Sequence, residues 1–554
     1  MLKYIIYISI LLTATIGYSQ NLNNISTKKP FNLSGSISAG GFTYNTNRAK
    51  SFLQPYGYSL NLNVNASFYG INIPLNLNLN QQGTNFNTPF NRFGMSPTYK
   101  GVTLHLGHRN FYWSEFLLAG ATVFGVGLDL KYHQYRLGII EGSLRPALGL
   151  QNPNFNVPQF SRSIEVIRFG SSTEDEYFYI TLARGKDDIN SLPQLSKEQT
   201  ALIQAQENNA LSVSFKSSIV GNKVFVTFKG ATSAFTENIR NPTIPTDKIP
   251  KFRFVTKLFD LKPSTHIAYA LKGTANYTHK NFKLQLVARK LSPEFKTFGT
   301  NYLISDMITY TVNPQINVWK NKLSLSGSYG IMYNDLDNRL INKTSREIGS
   351  ASLSFNPSQT FGTTINYSNY SIYQQVIKDS LANDSILKNQ INHNVNITPR
   401  LTFVYPNQVH SVLLNANYQI LDDKNEGSKK YSENNIFSLV GNYTLSLIKT
   451  GYNFTLGVSY LQFQSSQLST NQKGVNLGIR KSLFDKKLKI SIRANYSKLF
   501  TNDKKNDLFT LSSGINYSLT SKSSINFQFY LLNKKSSPNP VLESKTQLNY
   551  RYRF

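Results

Sequence analysis

Long runs of this chain alternate apolar and polar residues with a period of two. In "SLNLNVNASF", Leu60, Leu62, Val64, Ala66 and Phe68 fall on one side, and Asn61, Asn63, Asn65 and Ser67 on the other. "INIPLNLNLN" repeats this, with Ile71, Ile73, Leu75, Leu77 and Leu79 against Asn72, Asn76, Asn78 and Asn80. Successive side chains of a strand point to opposite faces, so each run predicts a strand with one apolar and one polar face. The alternation returns in "KVFVTFKG", "FKLQLVAR", "KLSLSGSYG", "LKISIRANYS" and "SINFQFYL". A soluble sandwich or propeller would bury its apolar faces in compact units punctuated by Gly, Pro and Trp. It has no need of an Asn- and Ser-rich opposite face along the whole chain.

Short polar turns separate these strands at Gly221-Asn222, Lys280-Asn281, Lys320-Asn321, Asn356-Pro357-Ser358, Pro406-Asn407, Lys449-Thr450-Gly451, Asp485-Lys486-Lys487 and Ser521-Lys522. They recur about every 35 to 60 residues, room for two strands and one longer loop. Alternating short and long connections predict an up-and-down transmembrane β-barrel with short periplasmic turns and longer external loops. The parity holds throughout if "RFGMSPTYK" is itself a short strand that turns at Lys100-Gly101 into "VTLHLGHR". The fold class is then all-β: a single large antiparallel barrel over residues 31–554, with about 26 strands (range roughly 22–26), an even number as bacterial barrels require.

The chain ends in "QLNYRYRF", with Leu548, Tyr550, Tyr552 and Phe554 on one face and Gln547, Asn549, Arg551 and Arg553 on the other. Chain ends are usually frayed and unpatterned. A barrel instead needs its last strand to pair with its first, here near "FNLSGSISAGG", and an aromatic there joins the interfacial girdle. The four apolar residues resemble the C-terminal assembly signal of bacterial outer-membrane proteins. At the other end, Lys3 precedes the apolar "YIIYISILLTATI", and Gly17 and Ser19 occupy small-residue positions before a cleavage site. Residues 1–19 therefore read as a signal peptide, and 20–30 as a short periplasmic segment. No later stretch has 18 consecutive apolar residues, so helical spans are not expected. The expected location is the outer membrane of a Gram-negative bacterium. The expected partners are its lipid and lipopolysaccharide and the barrel-assembly machinery.

Composition sharpens this. Of 554 residues, 40% are hydrophobic, 16% charged and 13% aromatic, and none is Cys. Disulfide scaffolds, thiolate metal sites and a lipidated Cys are excluded. Lys and Arg number 59 against 29 Asp and Glu, a formal charge of +30. Lys280, Lys283, Lys320, Lys322, Lys486, Lys487 and Lys489 flank predicted turns, where they keep strand ends wet, and basic loops suit lipopolysaccharide phosphates. The alternative is a cationic lumen that favours anionic solutes. The basic residues are scattered through strands rather than grouped in one domain, which argues against nucleic acid.

Candidate chemistry is sparse. Of the seven histidines only His105 and His108 are close, and a separation of three on a strand puts them on opposite faces, so no shared metal is expected. No G-x-S-x-G elbow, phosphate loop or zinc motif occurs. An active site assembled from barrel strands would leave no compact motif, but nothing points to one. The chain reads as a non-enzyme without cofactor. "SLPQLSKEQTALIQAQENNAL" (191–211) has helical spacing with Ser196 as N-cap. Its Lys197, Leu202 and Glu207 are candidates for a lumen constriction or lid. "ENIRNPTIPTDKIPKFRF" (237–254) reads as a second long loop on the same side.

Two segments, "PFNRFGMSPTYKGVTLHLGHRNFYWSEFLLAGATVFGVGLDL" (89–130) and "LSPEFKTFGTNYLISD" (291–306), resemble a poorly characterised family of Bacteroidota integral outer-membrane β-barrel proteins. The resemblance implies location and architecture and assigns no site residue. A barrel this wide needs something to fill it. About ten residues between cleavage site and first strand leave no room for an N-terminal plug. The expected function is therefore a porin-like channel with a basic lumen, constricted by loops near 111–123, 187–209 and 237–265. The alternative is an assembly or secretion component whose barrel docks a periplasmic or surface partner protein.

Overall fold

The computed structural model describes residues 31–49, 51, 53–69, 71–80, 92–149, 158–192, 203–221, 223–245, 260–300, 302–340, 342–376, 387–502, 504–535 and 540–554. The expected signal peptide, the 20–30 segment and residues 193–202 of the expected helix lie outside these residues.

Twenty-seven strand segments follow one another along the chain. The first nine are β1 (Phe31–Thr46), β2 (Tyr56–Phe68), β3 (Ile71–Asn80), β4 (Arg92–Met95), β5 (Thr98–Tyr99), β6 (Val102–Ser114), β7 (Leu118–Tyr132), β8 (Tyr135–Arg145) and β9 (Arg162–Ser172). Then come β10 (Tyr177–Asp187), β11 (Glu207–Val220), β12 (Val224–Thr236), β13 (Thr265–His279), β14 (Phe282–Leu291), β15 (Met307–Val318), β16 (Leu323–Asn334), β17 (Asn342–Phe355) and β18 (Phe361–Val376). The last are β19 (Asn389–Val404), β20 (Gln408–Asp423), β21 (Asn434–Leu447), β22 (Tyr452–Ser465), β23 (Ser469–Leu483), β24 (Leu488–Thr501), β25 (Lys504–Ser518), β26 (Ser523–Lys535) and β27 (Val541–Arg553). β4 and β5 both pair with β3 on one side and β6 on the other, so they are two pieces of one wall strand. The wall thus has 26 strands, as the turn parity predicted.

Neighbouring strands pair antiparallel, and β1 pairs with β27 to close the wall. The seam runs from Ser36 opposite Arg553 to Thr46 opposite Glu543. Gly35 and Phe554 exchange both backbone hydrogen bonds, at 3.1 and 3.2 Å, and Arg48 pairs with Glu543 at the other end. The last residue is therefore part of the ladder. Tight turns such as Lys280-Asn281 and Phe484–Lys487 fall at the end of the barrel that holds Phe554. Several use left-handed backbone, as at Lys280 (φ 45°), which matches the twist of the strands they join.

The apolar face points out. Val458, Leu477 and Leu548 are 55%, 56% and 53% exposed on the outer wall. Tyr132, Trp319 and Phe484 stand exposed at the tight-turn end, where an aromatic girdle belongs. The polar face points in: Asn61 lies opposite Asn78, and Asn63 opposite Asn76. This distribution inverts that of a soluble protein and is that of a membrane-spanning barrel. At roughly 4.8 Å per strand and a tilt of about 40°, 26 strands enclose a cylinder on the order of 50 Å across.

The short helix α1 (Glu426–Ser432) lies outside the expected helical stretch. Asn425 caps it, its side chain accepting a hydrogen bond from the Gly427 amide.

Two outcomes follow from the wall. Leu77→Arg should destabilise the barrel by about 2–4 kcal/mol if Leu77 faces mid-bilayer lipid, whereas Asn78→Arg should be tolerated. Denaturant unfolding in lipid vesicles reads both, and a larger loss for the Asn variant would reverse the faces. Deleting Phe554 removes its two hydrogen bonds to Gly35, so the fraction of heat-modifiable protein in the membrane should drop. Undiminished folded protein would show that the seam does not need it.

Candidate lumen site

β6 and β7 stay paired to their tip, but they leave the wall before reaching it. β7 pairs with β8 only from Phe124 to Tyr132, and on its other side β6 pairs with β4 and β5 no further than Gly107. Beyond these points, residues 109–123 form a hairpin that pairs with no wall strand among the described residues. Two glycines permit the departure. Gly107 has φ +81°, and a Cβ there would meet the Phe93 carbonyl oxygen at 2.5 Å. Gly120 has φ +77° and sits where the register shifts between Phe111 and Tyr112, a bulge that re-aims the strand.

The hairpin bends into the barrel. On β13, Ile267, Tyr269 and Leu271 are exposed outward, while Ala268 and Ala270 between them are buried under the hairpin. Ala183, Ala210 and Ala231 do the same on β10, β11 and β12. These small residues leave room for Phe116, Leu117 and Leu118, which are at most 1% exposed. The β14–β15 loop folds over the same tip. Phe295 meets Phe116 edge to face at 6.1 Å. The Thr297 hydroxyl donates to the Phe116 carbonyl at 2.6 Å, and the Ala119 amide to the Gly299 carbonyl at 3.0 Å. The two segments singled out in the sequence thus pack against each other inside the lumen.

One charge sits at the tip. Glu115 accepts hydrogen bonds from Lys229 on β12 and Lys272 on β13, each at 2.9 Å. Partial burial raises the Glu115 carboxyl, but the two lysines outweigh it and hold it below the ordinary carboxylate range. Nearby, Arg168 on β9 lies 4.8 Å from the ring centroids of both Trp113 and Tyr179. Further toward the loop end, Asp187 is fully buried and takes a bidentate pair from Arg162 at 2.6 and 2.9 Å, with Arg145 at 3.4 Å. Arg162 stacks on Phe298 at 3.6 Å, which ties the β14–β15 loop to the wall. Phe160, Leu192 and Ala205 form a second small apolar cluster with Ile203 and Ile239, joining three loops.

The expected constriction residues fare differently. Lys197 and Leu202 lie outside the described residues. Glu207 is a correction: it begins strand β11 rather than extending a helix, and it faces out. It pairs with Arg184 at 3.1 Å and Lys186 at 3.9 Å, residues that alternate with the buried lumen-side Ala183 and Asp187. Its neighbour Asn208 faces the lumen, bonded to Ser233 at 2.7 Å. Leu211, the last residue of that predicted helix, is likewise in β11. At the C-terminus, Leu548, Tyr550 and Tyr552 face out from β27, and the Tyr552 ring lies 5.9 Å from that of Phe554. His105 and His108 do point to opposite faces. His105 bonds Ser96 and Asp129 inside, and His108 packs between Phe93 and Phe124 outside. Glu115, Lys229, Lys272 and Arg168 were not singled out in the sequence. An isolated acid in the apolar "WSEFLLAGA" was the available signal.

Fold and site together define a large transmembrane β-barrel with a hairpin packed on one side of its lumen. No protein-family model and no curated protein matches the chain. Solved structures similar to it include OccAB2 of Acinetobacter baumannii, at 9% identity over 71% of this chain and 98% of that one, with a TM-score of 0.31. The translocation pore of the P pilus usher PapC gives 10% identity over 94% and 99%, with a TM-score of 0.36. A chain of the FpvAI–pyocin S2 complex gives 8% identity over 95% and 74%, with a TM-score of 0.39.

The ion pair at the tip sets a pH response. The folded-state value of Glu115 is lowered, so its contribution to docking is fully present above the ordinary carboxylate value of about 4.3. It is lost as pH falls through the lower folded value. Glu115→Gln, which leaves Lys229 and Lys272 uncompensated, should loosen the docked hairpin by about 1–3 kcal/mol at neutral pH and abolish that acid response. In a Trp319→Phe background, Trp113 fluorescence reports hairpin docking, and an unchanged acid response in Glu115→Gln would contradict this assignment.

Proposed function

We propose that the protein is a channel of the Gram-negative outer membrane, exported by its signal peptide, whose lumen passes small anionic solutes past the inward hairpin. The observation that carries this reading is the sign of the inward charges. Arg136, Arg168, Lys229, Lys272 and Arg289 face the lumen around the hairpin, with Asp129 and Glu115 as the acids among them. On the opposite wall Arg493 lies between Gly478 and Ser512 on the Asn-lined inner face. These inward cations lower the energy of an anion passing the hairpin, because the surrounding low-dielectric wall focuses their field. The hairpin narrows one side at mid-height and brings this field closer to the solute. The polar Asn, Ser and Gln of the remaining wall offer both donors and acceptors to a hydrated ion.

Among the described residues, one Ser, His and Asp meet, at the base of the hairpin. The pairing of His105 with Asp129 and Ser96 sits against the aromatic ring of Phe111 at 5.2 Å, where it braces the base of the hairpin.

Planar-bilayer recordings in a potassium chloride gradient test the proposal. The reversal potential should show chloride carrying most of the current. The triple variant Lys229→Gln, Lys272→Gln, Arg289→Gln should reduce that preference severalfold, and raising the salt toward 1 M should weaken it as screening shortens to about 3 Å. A cation-selective wild-type protein would refute the anion preference, and a non-conducting one the channel itself.

A further inference from the structure

Beneath the hairpin tip, on the side of the tight turns, lies a pocket of about 180 Å³. The hairpin supplies Trp113, Ser114 and Phe116, and the wall supplies Arg168, Tyr177 and Tyr179, with Ser212 and Ser214 beside them. The rings of Tyr177 and Tyr179 lie 5.5 Å apart, tilted by 30° to one another. Arg168 is held by rings on two sides, Trp113 and Tyr179, which fixes its plane without using its hydrogen bonds.

The two cations of the pocket differ in what remains to them. Lys229 spends its charge on Glu115 at 2.9 Å. Among the described residues the acid facing Arg168 is Asp129, whose nearest oxygen is 3.7 Å away, beyond hydrogen-bond reach. Its Nε is buried and has no hydrogen-bond partner in the protein. A guanidinium carries five N–H donors in a rigid fork that matches the two oxygens of a carboxylate. An arginine clamped in place, with its donors free, is pre-organised for such a ligand, because little side-chain entropy remains to be lost. The rings around it would cover an apolar group attached to the carboxylate.

We propose that this pocket is a binding subsite for small carboxylates that carry an apolar ring, with Arg168 taking the carboxylate. It deepens the channel reading and rests on it for the idea that such solutes reach the pocket by passage. The binding itself is separately measurable, because Trp113 forms one wall of the site.

The test uses the full-length protein in detergent with Trp319→Phe, which leaves Trp113 as the single tryptophan. Phenylacetate should change its fluorescence saturably, with at least tenfold tighter binding than acetate. Arg168→Gln should abolish the change. Arg168→Lys, which keeps the charge and loses the fork, should weaken binding at least tenfold. Asp129→Asn, which removes the competing carboxylate, should tighten it. Equal binding of acetate and phenylacetate, an equal response to inorganic phosphate, or a response that survives Arg168→Gln would overturn the assignment. So would weaker binding in Asp129→Asn. Saturable, Arg168-dependent binding in a protein that fails to conduct would sustain the subsite and sink the channel. Conduction without any such binding would do the reverse.

Discussion

A bilayer interior offers no water to backbone N–H and C=O groups, and each group left unpaired there costs several kcal/mol. Everything else in this structure depends on meeting that constraint with strands. Each strand must have two neighbours, so the first and last must find each other, and β1 and β27 do so along eleven facing residues. Closure explains why the chain stays patterned to its final residue. It also explains the even strand count, since both ends must return to the same side.

Closure at 26 strands creates a second problem. Side chains of the wall cannot fill a cylinder of this width, and the inner face is polar so that it can stay wet. The β6–β7 hairpin occupies part of that space. It carries a dry apolar patch into a polar lumen, which is stable only because the receiving wall is locally lined with Ala183, Ala210, Ala231, Ala268 and Ala270. The partly buried carboxylate of Glu115 would be costly alone. Two lysines from adjacent strands neutralise it and fix where along the wall the tip can dock. An apolar tip would have held as firmly by area but would have been free to slide. The pairing of Asp187 with Arg162 and Arg145 plays the same part near the loop end.

Wall and lumen contents were unequally legible. The strand at "RFGMSPTYK" was recovered from turn parity alone, although it is broken at Ser96-Pro97 into β4 and β5. The faces of Leu60–Leu79 and of His105 and His108 followed from period two. The helical spacing over 191–211 does not hold at its C-terminal end, where β11 begins at Glu207. "ENNAL" fits a helical spacing, yet Glu207 and Asn209 are outward residues of β11, opposite Lys186 and Arg184. Pairing with β10 and β12 overrode a weak local preference.

What the sequence by itself determined is everything governed by adjacent residues and by the solvent on each side of the wall. Alternation is a two-residue signal, turns are four-residue signals, and the bilayer reads both directly. Barrel, orientation of faces, seam and approximate strand count are therefore written along the chain. What only the tertiary structure decided is where the hairpin goes and which charges meet. Glu115 lies 114 residues from Lys229 and 157 from Lys272, and Arg168 meets Trp113 only because the hairpin turns inward. A loop's direction depends on the surface that receives it. That surface exists only after distant strands have closed, so no local pattern could have announced it.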